Sequence, residues 1–300
     1  MDMTYNKCCR HGASLRRRRR RRRKILRSII FSCSIIAVAV FVAVGSRMIT
    51  SGDGGTNRYD VEAGNNTYDN AVIENSKISE NNKIQNNQSM LDDIMNSTQY
   101  PKQLKDLALK NEEALEFVYD YPTEHVKEHT IDLTEEASMD SVPLFVQWDK
   151  RWGYEKYSGN FFAASGCGPT TLSMVVVYLT HNRDASPLAV AKYSKEAGYS
   201  VDGSGSSWTL ISEGCRHYGV KAKTVALDES RMKAELDAGH PIVINVGPGD
   251  FTDTGHFMVI TGYDDEGFSI NDPNSIEKSG KRWLFKNISS QIRAVWSMYV

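Results

Sequence analysis

The longest uncharged apolar stretch of the chain lies near its start. Residues 28–46 hold 19 residues without a charge between two arginines, and about 20 such residues cross a bilayer as a helix. The basic residues before this stretch predict that the N-terminus stays in the cytoplasm and that residues 47–300 lie outside. A secretory signal peptide is the alternative, because Ala43-Val44-Gly45 resembles a small-residue cleavage site.

Polar segments flank this predicted membrane anchor on both sides. Residues 1–27 form a basic segment that contains the run Arg16–Arg23, and we expect it to be cytoplasmic. Residues 47–98 are rich in Asn, Ser, Gly and Asp and show no sustained apolar period. Such a composition is typical of a flexible stalk.

Apolar positions at helical spacing begin again after residue 98. The pattern predicts a helical segment that begins at Pro101 and is ended by Pro122, within a helical lead-in over residues 99–141. By default this lead-in covers part of the next domain, and the alternative is a lid across its cleft. Its apolar face is predicted to consist of Leu104, Leu107, Ala108, Leu115 and Val118.

Two histidines in the lead-in have a spacing that metal ligands use on helices. His125 and His129 stand four residues apart, but the sequence offers no third ligand close to them. A solvated pair is therefore the favoured interpretation.

Residues 142–300 place helical patterns first and strand patterns later. Helices are expected over 167–179, 187–197, 208–218 and 228–238. Strands are expected over 222–227, 242–246, 255–263, 268–271, 283–285 and 294–300. This order indicates an α+β fold in which N-terminal helices pack on an antiparallel sheet, preceded in this chain by one transmembrane helix.

Charge and cysteine content narrow the class of function. The net charge is −1, but the first 50 residues contain 13 basic side chains and residues 51–300 carry a net charge of −13. An acidic body argues against a nucleic-acid partner, because phosphates would be repelled. Only Cys167 and Cys215 lie beyond residue 50, so the body has no disulfide framework.

Cys167 is predicted to lie on the first turn of a buried helix, between Gly166 and Gly168. The two glycines suggest that the backbone of another molecule can approach the sulfur closely, and the helix N-terminus favours a thiolate. We therefore favour a nucleophile over the alternative, a small buried cysteine that packs like an apolar residue. Cys215 lies inside a helical pattern and is interpreted as a core residue.

A thiolate nucleophile needs a base and donors for an oxyanion. Among the seven histidines, His256 opens a strand directly after a glycine-containing loop. Asp272 follows at the end of the next strand and can return beside it. Asn271 is the alternative, although strand alternation points it to the opposite face. Gln147 is the candidate oxyanion donor, or else a polar residue at a strand edge.

These residues and their neighbours carry a family resemblance. The motif at 165–170 (Ser-Gly-Cys-Gly-Pro-Thr), Gly255-His256-Phe257, Asn271-Asp272-Pro273 and Gln147 resemble the bacteriocin-processing, double-glycine-leader cysteine peptidases of the papain-like clan. The resemblance covers roughly 142–300. It implies a papain-like cysteine peptidase fold with Cys167 as nucleophile, His256 as base and acid, Asp272 as its orienting partner and Gln147 in the oxyanion hole. Family members usually place the glutamine only a few residues before the cysteine.

The sequence thus predicts a cysteine peptidase that is anchored by one helix and acts outside the cytoplasmic membrane on a peptide or protein substrate. No nucleic acid, metal or organic cofactor is implied. Two other functions stay open, namely a catalytically silent papain-like module that binds peptide or cell-wall polymer, and a cell-wall amidase. Cleavage of the apolar segment as a signal peptide would make the protein secreted.

Overall fold

Helices precede the main sheet along the chain, as the sequence pattern predicts. The computed structural model describes residues 67–300, with their side chains from residue 81 onward. The α-helices of this part are α1 (Thr67–Asn96), α2 (Lys102–Lys110), α3 (Leu115–Tyr119), α4 (Tyr121–Glu124), α5 (Thr134–Ser138), α6 (Phe162–Ser165), α7 (Cys167–Thr180), α8 (Pro187–Glu196), α9 (Thr209–Ser212), α10 (Glu229–Asp237), α11 (Ile276–Ser279) and α12 (Phe285–Ile288).

The strands form one six-stranded antiparallel sheet and two small hairpins. The sheet has the order β5-β10-β6-β7-β8-β9, and each neighbouring pair is antiparallel. The hairpins are β1 with β2 and β3 with β4. The strands are β1 (Lys156–Tyr157), β2 (Asn160–Phe161), β3 (Ser200–Val201), β4 (Gly205–Ser206), β5 (Lys221–Thr224), β6 (Ile242–Val246), β7 (His256–Asp264), β8 (Gly267–Asn271), β9 (Arg282–Trp283) and β10 (Ile292–Tyr299).

The sheet is covered on both faces, which explains the continuous apolar run of β6. All five residues of this strand are buried. Val243 packs in one cluster with Leu172 and Val176 of α7. Ile242 and Ile244 pack in a second cluster that includes Met232 and Leu236 of α10. Alternate side chains thus enter different cores, and the predicted combination of helices with an antiparallel sheet is confirmed.

The lead-in buries the predicted apolar face but is not one helix. Asn111 has an extended conformation (φ −136°, ψ 100°), so α2 ends before it and a short 3-10 helix (Glu112–Ala114) follows. Pro122 lies at the start of α4 and does not end a helix there. The predicted segment is thus helical but divided into shorter helices, and the predicted end at Pro122 is wrong. The face itself packs in a third cluster, with Leu104, Leu107, Ala108, Leu115 and Val118 against Phe161 and Ala163.

Part of the predicted stalk is regular structure. Helix α1 occupies residues 67–96, so the prediction of a flexible stalk over residues 47–98 is wrong for this part. Among the side chains described for this helix, residues 81–96, those that meet the third cluster lie near its C-terminal end. There Ile94 is fully buried, and Met90 and Leu91 are partly buried.

The predicted anchor at residues 28–46 and the basic segment 1–27 lie outside the described residues. Within residues 67–300, no helix is both long enough and apolar enough to cross a membrane. Residues 70–300 form one compact unit.

Smaller differences concern two element boundaries. The helix expected over 208–218 is divided at Glu213 into α9 and a 3-10 helix (Gly214–Tyr218). Phe285, which was expected to end a strand, begins α12. Neither difference moves the residues predicted for the site.

Candidate active site

Cys167 is the first residue of α7, as the sequence predicts. The carbonyl of Gly166, which caps the helix, accepts from the backbone N–H of Thr170 at 3.0 Å and from its hydroxyl at 2.8 Å. The hydroxyl of Thr171 donates to the carbonyl of Phe257 at 3.0 Å. Helix α7 is thereby tied to β7 one residue after His256.

The two flanking glycines are required by packing within the protein. A Cβ added to Gly166 would lie 2.5 Å from the ring of Phe162, and one added to Gly168 would lie 2.5 Å from the hydroxyl oxygen of Ser206. Packing within the protein thus accounts for both glycines, and the approach of another molecule's backbone to the sulfur stays a prediction. The two glycines allow α6 and the β3–β4 hairpin to approach the cysteine.

His256 begins β7 and is buried opposite Val246 of β6. Its Nε2 lies 2.7 Å from Oδ1 of Asp272, and the imidazole is close enough to Cys167 to lower the pKa of that thiol. The side-chain amide of Asn245 donates to the carbonyl of His256 at 3.2 Å. Both the ring and the backbone of this histidine are thus held in place.

Asp272 follows β8 and is almost completely buried. Its Oδ1 also accepts from the backbone N–H of Asn274 at 2.8 Å, and its own backbone N–H donates to the hydroxyl of Ser279 at 2.8 Å. The amide of Asn271 instead donates to the carbonyls of Val142 and Pro143. Of the two candidates, the structure brings Asp272 to His256 and turns Asn271 away.

The electrostatics of the three residues favour an ion pair. Burial acts to raise the pKa of Cys167, but the hydrogen bond and positive charge of His256 outweigh it, so the pKa of the thiol is lowered. Burial acts to lower the pKa of His256, but the charge and hydrogen bond of Asp272 outweigh it, so that pKa is raised. Burial raises the pKa of Cys215 to about 11. Of the two thiols in the described region, Cys167 is therefore the one that favours the reactive thiolate, and Cys215 favours the neutral thiol.

Gln147 reaches the site across a gap of 20 residues in the sequence. Its Nε2 donates to the carbonyl of Ala163 in α6 at 2.7 Å, and its backbone N–H donates to the carbonyl of Pro273 at 2.7 Å. The intervening residues contain the β1–β2 hairpin. One amide hydrogen is used by Ala163 and the second is available for another acceptor. The role of Gln147 as oxyanion donor stays a prediction.

The histidines of the lead-in have partners of their own. His125 stacks on Tyr121 with 4.1 Å between ring centroids, and Nε2 of His129 lies 3.2 Å from the carbonyl oxygen of Glu124. Within residues 67–300, no group of three or more His, Cys, Asp or Glu side chains is placed to hold a metal ion.

Three polar residues that support the site were missed by the sequence analysis, namely Asn245, Asn274 and Ser279. Asn245 is detectable in principle, because it is the one polar residue in an apolar strand and a buried amide needs partners. Asn274 lies in a loop and Ser279 ends the four-residue helix α11, which is too short to show a periodic pattern. Only the position of Asp272 identifies them.

One family model matches more than half of the chain. Residues 139–300 match the family model described as "Peptidase_C39 like family". A solved structure of the peptidase domain of Streptococcus ComA, described as a bi-functional ABC transporter involved in a quorum-sensing pathway, is similar at 19% identity over 45% of this chain and 90% of that chain, with a TM-score of 0.36. A putative C39-like peptidase from Bacillus anthracis is similar at 17% identity over 53% and 95%, with a TM-score of 0.33. The search of curated proteins finds no match.

Proposed function

This chain belongs to the Peptidase_C39-like family, and we propose that it is a cysteine peptidase that hydrolyses peptide bonds through Cys167, His256 and Asp272. The observation that carries the proposal is the position of His256, whose Nε2 lies 2.7 Å from Oδ1 of Asp272 and whose proximity lowers the pKa of the Cys167 thiol. A lone buried cysteine would need neither a histidine with a raised pKa nor a carboxylate behind it.

The proposed reaction uses each residue in turn. The thiolate of Cys167 attacks the carbonyl carbon of the peptide bond, and its backbone N–H and the amide of Gln147 hold the oxyanion. The protonated His256 gives its proton to the leaving amine, which leaves a thioester on Cys167. Water then attacks the thioester while His256 takes its proton, and the acid product departs as the thiolate and the imidazolium are restored.

The test is hydrolysis and thiol reactivity in the full chain. Wild-type protein incubated with a mixture of unstructured peptides should generate new termini, and Cys167→Ser should generate none, because a neutral hydroxyl in this position is a far weaker nucleophile. Mass spectrometry of the peptides measures the new termini.

Reaction of iodoacetamide at each cysteine supplies an independent measurement. Cys167 should react rapidly well below pH 8.5, the ordinary range of a thiol, while Cys215 should react slowly because it is buried and its pKa is about 11. If Cys167 titrates as an ordinary thiol and no termini appear, a catalytically silent module that binds peptide or cell-wall polymer becomes the better assignment.

The location proposed for this activity is the outer side of the cytoplasmic membrane. The support is the uncharged segment at residues 28–46 with its basic flank. Protease added to intact cells should remove residues 47–300 from the anchored protein, as measured by immunoblotting against the C-terminal part. A cytoplasmic protein should stay intact as the control. Protection of residues 47–300 until the cells are lysed would contradict this location.

A further inference from the structure

The lead-in contacts the loop that carries Asp272. The side-chain amide of Asn111 donates to the backbone carbonyl of Asn274 at 2.9 Å and to the side-chain Oδ1 of Asn274 at 3.1 Å. The backbone N–H of Asn274 donates to Oδ1 of Asp272, the same oxygen that bonds to His256. An unbroken series of contacts therefore leads from Asn111 to the imidazole.

Glu113 binds the other end of the same loop. Its carboxylate accepts from the hydroxyl of Ser275 and from the backbone N–H groups of Ile276 at 2.7 Å and Glu277 at 3.1 Å. These groups form the N-terminus of α11, where a carboxylate is stabilised by otherwise unpaired donors. Ser279 of this helix accepts from the backbone of Asp272, so Glu113 fixes the helix that in turn fixes Asp272.

The two contacts come from a rigid part of the lead-in. Asn111 is buried and caps the 3-10 helix through a bond from the N–H of Glu113 to its Oδ1 at 3.0 Å. The next residues, Ala114 and Leu115, are buried in the third cluster with Ala163. Ala163 also holds the amide of Gln147. The same packed cluster therefore supports the lead-in residues that contact the Asp272 loop and the residue that binds the Gln147 amide.

We propose that Asn111 is a positioning residue for the reaction and that the lead-in is an integral part of the catalytic centre. The proposal rests on the proposed function, because it concerns how Asp272 orients His256. The lead-in residues lie before the region matched by the family model, which begins at residue 139. Asp272 lies beyond the regular strand, in a loop held by one isolated bridge to Ser275, so its carboxylate orientation depends on these outside contacts.

The decisive variant is Asn111→Ser. Serine keeps an oxygen that caps the 3-10 helix, but its side chain is too short to donate to Asn274. Tyr100→Phe is the matched control, because it also removes one hydrogen bond of the lead-in, from its hydroxyl to the carbonyl of Tyr119 at 3.0 Å, without touching the loop. Glu113→Ala breaks the second contact independently.

The measurement is the rate of iodoacetamide reaction at Cys167 in the full chain against pH, resolved by mass spectrometry, together with the melting temperature. Asn111→Ser should raise the apparent pKa of Cys167 by about one unit, which lowers its rate about tenfold at pH values below that pKa. Glu113→Ala should act in the same direction, and Tyr100→Phe should leave the profile at that of the wild type.

The outcomes separate this inference from the proposed function. A low thiolate pKa in the wild type that is unchanged in Asn111→Ser and Glu113→Ala would overturn the positioning role and leave the peptidase proposal standing. A lower melting temperature with an unchanged pH profile would likewise reduce Asn111 to a structural residue. An ordinary thiol pKa in the wild type would overturn the positioning role, and the peptidase proposal would fall with it only if no new peptide termini appear in the hydrolysis assay.

Discussion

Replacing His256 by alanine should lower the rate of peptide hydrolysis by about 10³-fold or more and raise the pKa of Cys167. The general acid and base are both lost, which alone accounts for a factor of about 10²–10⁴. The hydrogen bond and positive charge that lower the pKa of the thiol are lost with them. Burial, which acts in the opposite direction, is then unopposed, and Cys215 shows its effect with a pKa of about 11.

The pH profile of the wild type provides the reference for this variant. The pKa of Cys167 is lowered and that of His256 is raised. The thiolate–imidazolium pair therefore exists at pH values between these two pKa values. Activity should fall on the acid side as the thiolate is protonated and on the basic side as the imidazolium loses its proton. In His256→Ala the acid limb of thiol alkylation should move upward, towards or above the ordinary value of about 8.5.

His240→Ala is the matched control for this experiment. His240 also pairs with a carboxylate, Glu235, at 3.0 Å, but it has no role in the proposed reaction. Hydrolysis and site-resolved alkylation are measured against pH for both variants. Equal profiles in His256→Ala and wild type would contradict the assignment of His256.

The sequence was sufficient where a local pattern determines the structure. The position of Cys167 on the first turn of α7 followed from glycine, proline and a long apolar run. The opposite orientations of Asn271 and Asp272 followed from strand alternation at the end of β8. In both cases the determining residues are close neighbours in the chain.

The sequence was insufficient where contacts join residues that are far apart in the chain. Asn111 and Asn274 are 163 residues apart, and neither lies in a motif. The tight contact of Gly168 depends on Ser206 of the β3–β4 hairpin, which no local pattern indicates. Helix α1 was missed because a mostly polar helix leaves no period that distinguishes it from a stalk.

Asp272→Asn should lower turnover about 10²-fold while the fold is retained. Asparagine has the same shape, and its oxygen can still accept from the backbone N–H of Asn274. However, it lacks the charge that raises the pKa of His256. The pKa of His256 should therefore fall, so the basic limb of the activity profile should move to lower pH as the imidazolium is lost earlier.

Asn271→Ala is the adjacent comparison, and its effect should be on stability. It removes the hydrogen bonds to the carbonyls of Val142 and Pro143, which costs about 1–3 kcal/mol of unfolding free energy when the buried acceptors are left unpaired. The turnover number against pH and the melting temperature are measured for both variants. A large loss of turnover in Asn271→Ala together with a normal profile in Asp272→Asn would show that the wrong residue has been assigned as the partner of His256. The expected opposite result separates an electrostatic role in the reaction from a structural role one residue away.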